Sequence, residues 1–188
     1  MKLLLYLEWP KEILECNLKF IKKNKNGNLI SINILKYAAG LINYAAAYHY
    51  FLIHPDPNDP YPVVKLYLDN TSSKSWIVKA CKGSLAGRAL SRLQCAMMIN
   101  NPVGIQAEHV TTVANVIADE ISRIKKETNS LRGFTSILQA YPEVAGCRRF
   151  QPSAALLSHI MDAISLTKSV DPMEVSNSIL TDPGQIIS

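Results

Sequence analysis

A short strand followed at once by a polar segment is predicted at Val63-Val64-Lys65-Leu66-Tyr67-Leu68-Asp69-Asn70-Thr71. The first six residues are mainly β-branched, aliphatic or aromatic, which is typical of a strand buried by helices on both faces. Because a helical pattern follows, Asp69 falls at the carboxyl end of this strand. Open α/β sheets bind their ligands at that edge. The segment therefore predicts an α/β fold with Asp69 at a ligand-binding edge.

Helix and strand patterns extend this unit in both directions. Ser31 is placed to cap a long Ala- and Leu-rich helix, which the prolines after His54 must end. Downstream, we predict a helix over 85–99, a strand over 105–110 and a helix over 115–126. The order helix, strand, helix, helix, strand, helix implies an α/β layer with at least one parallel pair of strands.

Both flanking regions are predicted to be helical. Residues 8–25 place apolar residues on one face of a helix, and three short helices are predicted after residue 127, over 131–138, 153–167 and 173–180. We therefore divide the chain into three parts: a flanking helical segment (1–28), an α/β domain (29–126) and an α-helical tail (127–188).

Composition and cysteine usage indicate the class of protein. The chain has 188 residues, and 48% of them are apolar, which is enough for the core of an ordinary domain. The four cysteines form no CxxC pair and have no histidine at zinc-finger spacing. Free thiols of this kind are typical of a reducing compartment, so we expect an intracellular protein, cytoplasmic or nuclear.

Neither apolar segment predicts a membrane protein. The opening run from Met1 to Leu7 is short, stops at Glu8 and lacks the small-residue cleavage site of a signal peptide. Polar side chains interrupt the segment 29–53, and a lipid-exposed helix holds such side chains only at a cost of several kcal/mol, order of magnitude. We therefore expect no membrane partner.

One stretch of the chain carries only positive charge. The whole sequence has a formal net charge of +5, and no acidic residue occurs from Thr71 to Ala107. Five cations fall inside this window: Lys74, Lys79, Lys82, Arg88 and Arg92. Such a stretch favours a polyanion, because each neutralised phosphate releases condensed counterions. A solvated face without a binding role is the alternative.

Two acids occupy positions from which carboxylates can converge on a cation. Asp69 ends one predicted strand, and Asp119 lies near the start of the helix after the next strand. Mg²⁺ takes a few carboxylates and keeps positions for phosphate oxygens; two such ions would activate a water and stabilise the leaving oxygen of a phosphodiester. Structural roles stay open: Asp69 as the cap of the following helix, and Asp119 as a favourable charge at a helix amino end.

The segment around Asp119 resembles a family signature. It reads His109-Val110-Thr111-Thr112-Val113-Ala114-Asn115-Val116-Ile117-Ala118-Asp119-Glu120-Ile121-Ser122-Arg123. This is similar to the signature of retroelement ribonuclease H: a histidine, a short loop, Asn, two residues, Ala-Asp, one residue and hydrophobic-Ser-Arg. The segment 66–71 resembles the strand that ends in the family's third catalytic aspartate, and 31–35 resembles the start of its first long helix. The block 87–104 further resembles polymerases of DIRS-like retrotransposons.

This resemblance, which covers residues 30–123, implies a partial ribonuclease H-like fold over 29–126: an incomplete sheet flanked by helices, followed by the α-helical tail. It implies that Asp69 and Asp119 are the third and fourth acids of a four-carboxylate site, which binds two Mg²⁺ ions and hydrolyses the RNA strand of an RNA–DNA hybrid. His109 would assist proton transfer or product release; its ordinary alternative is a polar residue at a strand end. The remainder of a retroelement polymerase is the implied protein partner.

Two departures from the family pattern imply an impaired copy. The family's second acid, a glutamate early in the long helix, falls on Lys36, and the strand with the first acid would precede Met1. A lysine ammonium at this place removes a ligand and repels Mg²⁺. We therefore expect a ribonuclease H remnant without detectable hydrolysis, and exposed apolar surface around 63–68. A non-catalytic nucleic-acid-binding module and a polymerase-interaction module are the alternatives.

Overall fold

Helices dominate the fold, and short strands lie between them. The computed structural model describes residues 3–5, 9–21, 30–99, 101, 103–111, 115–122, 136–137, 139–144, 146–166 and 171–187. The elements follow in the order β1 (Leu3–Leu5), α1 (Lys11–Ile21), α2 (Ile32–Ile53), β2 (Val63–Leu68), α3 (Thr71–Lys79), α4 (Leu85–Met98), β3 (Gly104–His109), α5 (Val116–Ser122), a 3₁₀ turn (Pro142–Val144), β4 (Arg148–Pro152), α6 (Ala154–Ser165), α7 (Pro172–Thr181) and β5 (Gly184–Ile187). The predicted mixed α/β class is thereby confirmed.

Strands β2 and β3 form a two-stranded parallel sheet. They pair in register from Val63 opposite Gly104 to Leu68 opposite His109. The backbone N–H of Val110 donates to the carbonyl of Leu68 at 2.9 Å and extends the ladder beyond β3. Helices α3 and α4 form the crossover, so the expected parallel pair is confirmed. The carboxyl ends of both strands consequently lie at one edge of the sheet.

Helix α2 forms the centre of the core. The Ser31 hydroxyl oxygen accepts the backbone N–H of Ile34 at 3.4 Å, as expected of a cap. Eleven of the 22 residues of α2 are buried, which is the behaviour of a helix that is apolar on nearly all sides. Gly40 allows a close approach, because a Cβ there would lie 3.2 Å from Cδ1 of Ile77. Helix α2 thus packs against β2, α3 and α4.

Strand β2 is buried on one face only, so the expectation of burial on both faces is wrong. Val64 and Leu66 face the core. Val63 and Tyr67, which point to the other face, are 59% and 60% exposed. Burial in β2 therefore alternates from residue to residue, as in an ordinary strand. The strand looks mostly apolar because Val63 and Tyr67 lie on its exposed face.

The carboxyl-terminal region contains strands as well as helices, so the prediction of an α-helical tail is confirmed only in part. Helices α6 and α7 match the predicted helices over 153–167 and 173–180. Strand β4, however, pairs antiparallel with β5 and parallel with β1, which gives a second sheet in the order β1–β4–β5. The amino-terminal flank likewise supplies a strand, β1, and is not helical throughout.

Parts of two predicted helices lie outside the described residues. Of the helix predicted over 131–138, only residues 136 and 137 are described, and both are helical. The helix predicted over 115–126 is described as far as Ser122. Beyond these points the two predictions stay predictions.

The tail helices share one core with the parallel sheet and its helices. Leu156 and Ile160 of α6 and Val175 of α7 are buried in the same apolar cluster as Leu90 and Leu93 of α4. None of the described helices has both the length and the apolar character that a bilayer-spanning helix requires. All four cysteines are free thiols, as expected.

Candidate functional site

Lys36 and Asp69 form an ion pair at the carboxyl edge of the parallel sheet. Lys36 lies in the second turn of α2, and Asp69 directly follows β2. The Lys36 Nζ lies 2.7 Å from Oδ1 and 2.6 Å from Oδ2 of Asp69. The two side chains are 36% and 19% exposed, so solvent screens their attraction only in part. A single ammonium therefore engages both oxygens with which Asp69 would bind a metal ion.

A polar network around this pair joins the amino ends of α2 and α3. Asn70, and not Asp69, caps α3, because its Oδ1 accepts the backbone N–H of Ser73 at 2.8 Å. The Asn70 amide donates to Oδ1 of Asn33 at 2.8 Å, and the Ser73 hydroxyl donates to the Asn33 carbonyl at 3.0 Å. This finding corrects the alternative that Asp69 is the cap. It also leaves the Asp69 carboxylate for Lys36.

His109 ends β3 at the same edge of the sheet. It is in register with Leu68, the residue before Asp69. The His109 side chain is exposed. Parallel pairing thus places His109 and Asp69 at one edge, while the surroundings of His109 also suit the ordinary alternative of a polar residue at a strand end.

Asp119 lies in the first turn of α5, where its charge favours the helix amino end. Its backbone N–H donates to the Asn115 carbonyl at 3.0 Å. Residues 112–114 and Arg123 of the family signature lie outside the described part of the chain. Among the described residues, no three His, Cys, Asp or Glu side chains lie close enough together to hold a metal ion. Asp69, His109 and Asp119 therefore do not form a group of three metal ligands. A site with Asp69 and Asp119 as its two metal ligands stays a prediction.

The residues at this edge do not fit the two Mg²⁺ ions that the family resemblance implies. Lys36 supplies a positive charge within hydrogen-bond distance of Asp69, at the position where the resemblance implies an acid. Two like unit charges about 4 Å apart repel each other by about 4 kcal/mol at an effective dielectric constant of about 20. The repulsion between the Lys36 ammonium and a divalent Mg²⁺ ion at that distance would be twice as large. Asp69 is therefore neutralised by a cation that belongs to the chain.

The five cations of the acid-free window lie on α3, on the loop that follows it and on α4. Lys79, Lys82, Arg88 and Arg92 are exposed, and Lys74 is half-buried. None of the five forms an ion pair with a described residue. Arg88 and Arg92 are one helical turn apart on the exposed face of α4. Their charges are thus available to an anionic partner.

No protein-family model, curated protein or solved structure matches this chain significantly. The family resemblance accordingly rests on the residues of the chain itself.

Sequence reasoning missed a second set of residues, at the opposite edge of the parallel sheet. Aromatic residues of the last turns of α2 and two aspartates of the loop after it line a cavity there. The available signal was the succession of Tyr48, Tyr50 and Phe51 followed by the repeated Asp-Pro pattern of residues 56–60. That pattern predicted only a loop, because prolines dominate it.

Proposed function

We propose that this chain is a remnant of a retroelement ribonuclease H domain that no longer hydrolyses RNA and still binds nucleic acid through phosphate contacts. The observation that carries the proposal is the Lys36–Asp69 ion pair, with both carboxylate oxygens within 2.7 Å of one ammonium. In this proposal, Lys36 takes the place of the metal as the counter-ion of Asp69. Nucleic-acid binding then needs no Mg²⁺.

The order of elements supports the family part of the proposal. Helix α2, strand β2, helices α3 and α4, strand β3 and helix α5 follow each other in the sequence expected from the resemblance, and the two strands are parallel. The substrate part is supported by the five cations of α3, α4 and the loop between them. RNA–DNA hybrid is the ligand that the resemblance favours, and A-form geometry would be recognised by shape rather than by base sequence.

The exposed face of the parallel sheet supports a contact with the remainder of a retroelement polymerase. Val63 and Tyr67 present apolar surface there, and the Lys65 Nζ pairs with the Glu108 carboxylate between them at 2.8 Å. Exposed apolar side chains in a group favour association with a protein partner. This contact is secondary to nucleic-acid binding in the proposal.

Substitution of Lys36 by glutamate tests the role of the ion pair. In Lys36→Glu, two carboxylates replace the pair, so we expect a loss of about 1 to 3 kcal/mol in the free energy of unfolding without divalent ions. Mg²⁺ should restore part of that loss: an ion at ten times its Kd stabilises a fold by about 1.4 kcal/mol. Thermal unfolding with and without Mg²⁺, at constant ionic strength, measures both effects.

The wild-type chain and Lys79→Glu are the controls. Lys79→Glu makes the same charge change at an exposed lysine that has no described ion-pair partner, so neither protein should respond specifically to Mg²⁺. The wild-type chain should also leave an RNA–DNA hybrid intact in the presence of Mg²⁺. The proposal is wrong if the wild-type chain cleaves the hybrid and Asp119→Asn abolishes the cleavage. If Mg²⁺ does not stabilise Lys36→Glu, Asp69 does not lie at a former metal site, and the ion pair no longer supports the proposal.

A further inference from the structure

A cavity of about 400 Å³ lies at the edge of the parallel sheet opposite Asp69. It is bounded by the last turns of α2, by the loop 54–62 and by Val103, the residue before β3. Pro62 and Val103, which lie at its base, are buried. The Tyr44 hydroxyl donates to the Val103 carbonyl at 2.7 Å and holds this base against α2.

Aromatic rings contribute to the wall of this cavity. Tyr48, Tyr50 and Phe51 all line it. The rings of Tyr50 and Phe51 pack edge to face, with centroids 5.6 Å apart and an interplanar angle of 72°. The imidazole of His54 packs on Tyr50 as well, with ring centroids 4.9 Å apart. Aromatic faces carry a partial negative charge, so rings grouped in this way attract cations as well as apolar groups.

Two carboxylates and one imidazole, that of His54, line this cavity. The carboxylates belong to Asp56 and Asp59, and none of the described residues that line the cavity is a Lys or Arg. Helix α2, which ends there, has no basic residue in its last turn, so the partial negative charge of a 22-residue helix is not neutralised from within the helix. Within the loop, Oδ1 of Asp56 accepts the backbone N–H of Asn58 at 2.9 Å and its side-chain amide at 3.2 Å. Negative charge thus concentrates here in a chain whose net charge is +5.

We propose that this cavity binds an organic cation, an ammonium or guanidinium group that enters between the aromatic rings and the two aspartates. Its volume accommodates a group of the size of tetramethylammonium or the head of a lysine or arginine side chain. The cation is either a free small molecule or a basic side chain of a polypeptide. The inference is independent of nucleic-acid binding, because it uses residues at the other edge of the sheet.

Titration of the full chain with tetramethylammonium chloride tests this site by calorimetry and by shifts of the aromatic ring protons in NMR. We expect saturable binding, and binding at least about tenfold weaker for 2,2-dimethylpropanol, an uncharged molecule of similar shape. The double variant Asp56→Asn/Asp59→Asn should lose about tenfold or more in affinity. Phe51→Leu keeps an apolar wall but removes a ring, and should lose about two- to tenfold.

Glu12→Gln is the matched control, because it removes an exposed acid of α1 that does not line the cavity, and it should leave the affinity unchanged. A peptide that carries trimethyllysine or arginine distinguishes the two sources of the cation. At least tenfold tighter binding of the peptide than of tetramethylammonium assigns the site to a polypeptide, and equal binding assigns it to a small molecule. The inference is overturned if none of the cations binds, if the uncharged molecule binds equally well, or if folded Asp56→Asn/Asp59→Asn binds as the wild type does.

Discussion

Two buried tyrosines fasten α2 to its neighbours. The Tyr37 hydroxyl donates to Oε1 of Gln94 at 2.6 Å, and the Gln94 amide donates in turn to the Ile77 carbonyl at 2.9 Å, so one chain of hydrogen bonds joins α2, α4 and α3. Burial raises the pKa of Tyr37 from its ordinary value of 10 to about 12. Burial also raises the pKa of Tyr44. Both phenols must stay protonated for the fold to keep these bonds.

The raised pKa of Tyr37 predicts a loss of stability in alkaline solution. Because the folded pKa lies above the unfolded one, the contribution of this phenol is complete below pH 10 and is lost as the pH rises from 10 to 12. The loss amounts to about 1.4 kcal/mol per pH unit for each such group. Urea unfolding at several pH values between 8 and 12 measures the slope.

Tyr37→Phe identifies the origin of this slope. The variant should be less stable than the wild type at pH 8, because the Gln94 oxygen loses its donor, but its stability should fall less steeply above pH 10. Tyr61→Phe is the control, since Tyr61 is 75% exposed and should leave the slope unchanged. Parallel curves for the wild type and Tyr37→Phe would exclude Tyr37 as the cause.

At the scale of elements, the sequence predicted the helices and strands whose apolar residues repeat regularly over a long segment. Helices α2 and α4 and the parallel pair β2–β3 follow from apolar spacing and from the order of the segments. Strands β1, β4 and β5 have three to five residues. Strand β1 pairs with β4, which begins at Arg148, far along the chain. A pattern of neighbouring residues cannot predict pairing over such a distance. The Lys36–Asp69 pair was foreseeable only from the family resemblance, because 33 residues separate its members.

The two arginines on the exposed face of α4 predict how the proposed nucleic-acid binding depends on salt. Each phosphate contact contributes about 0.7 to 0.9 to the slope of log K against log salt concentration. If Arg88 and Arg92 each contact a phosphate, Arg88→Gln/Arg92→Gln should make that slope less steep by about 1.5. Fluorescence anisotropy with labelled RNA–DNA hybrid, RNA duplex and DNA duplex over a range of KCl concentrations measures the slope with and without Mg²⁺.

A second double variant controls for net charge in this experiment. Lys11→Gln/Arg148→Gln removes two exposed cations outside the acid-free window, so its slope should equal that of the wild type. Equal changes in both double variants would mean that binding follows total charge and does not involve the face of α4. A requirement for Mg²⁺ would contradict the proposed role of Lys36 as the counter-ion of Asp69.

At the scale of the whole molecule, the core is continuous across the division predicted at residue 127. Ile160 and Leu156 of α6 pack in one cluster with the apolar residues of α2 and α4. The Ser176 hydroxyl of α7 donates to the Ile99 carbonyl at the end of α4, at 3.2 Å. A tail that shares its buried surface in this way unfolds together with the rest, because neither part can keep its core alone.

Ile160→Ala therefore should destabilise the whole described fold and not α6 alone. Removal of this fully buried side chain costs about 2 to 5 kcal/mol. Both tryptophans, Trp9 and Trp76, belong to the region before residue 127, whereas far-UV circular dichroism reports all helices. In urea, tryptophan fluorescence and circular dichroism should shift to the same lower midpoint in the variant, while Ser158→Ala, on the exposed face of the same helix, should leave the midpoint unchanged. Trp76 packs beside Tyr37 in the same core as Ile160, so tryptophan fluorescence reports the unfolding of that core. The tail would instead be an independent unit if the fluorescence midpoint stayed at the wild-type value while the circular dichroism separated into two transitions.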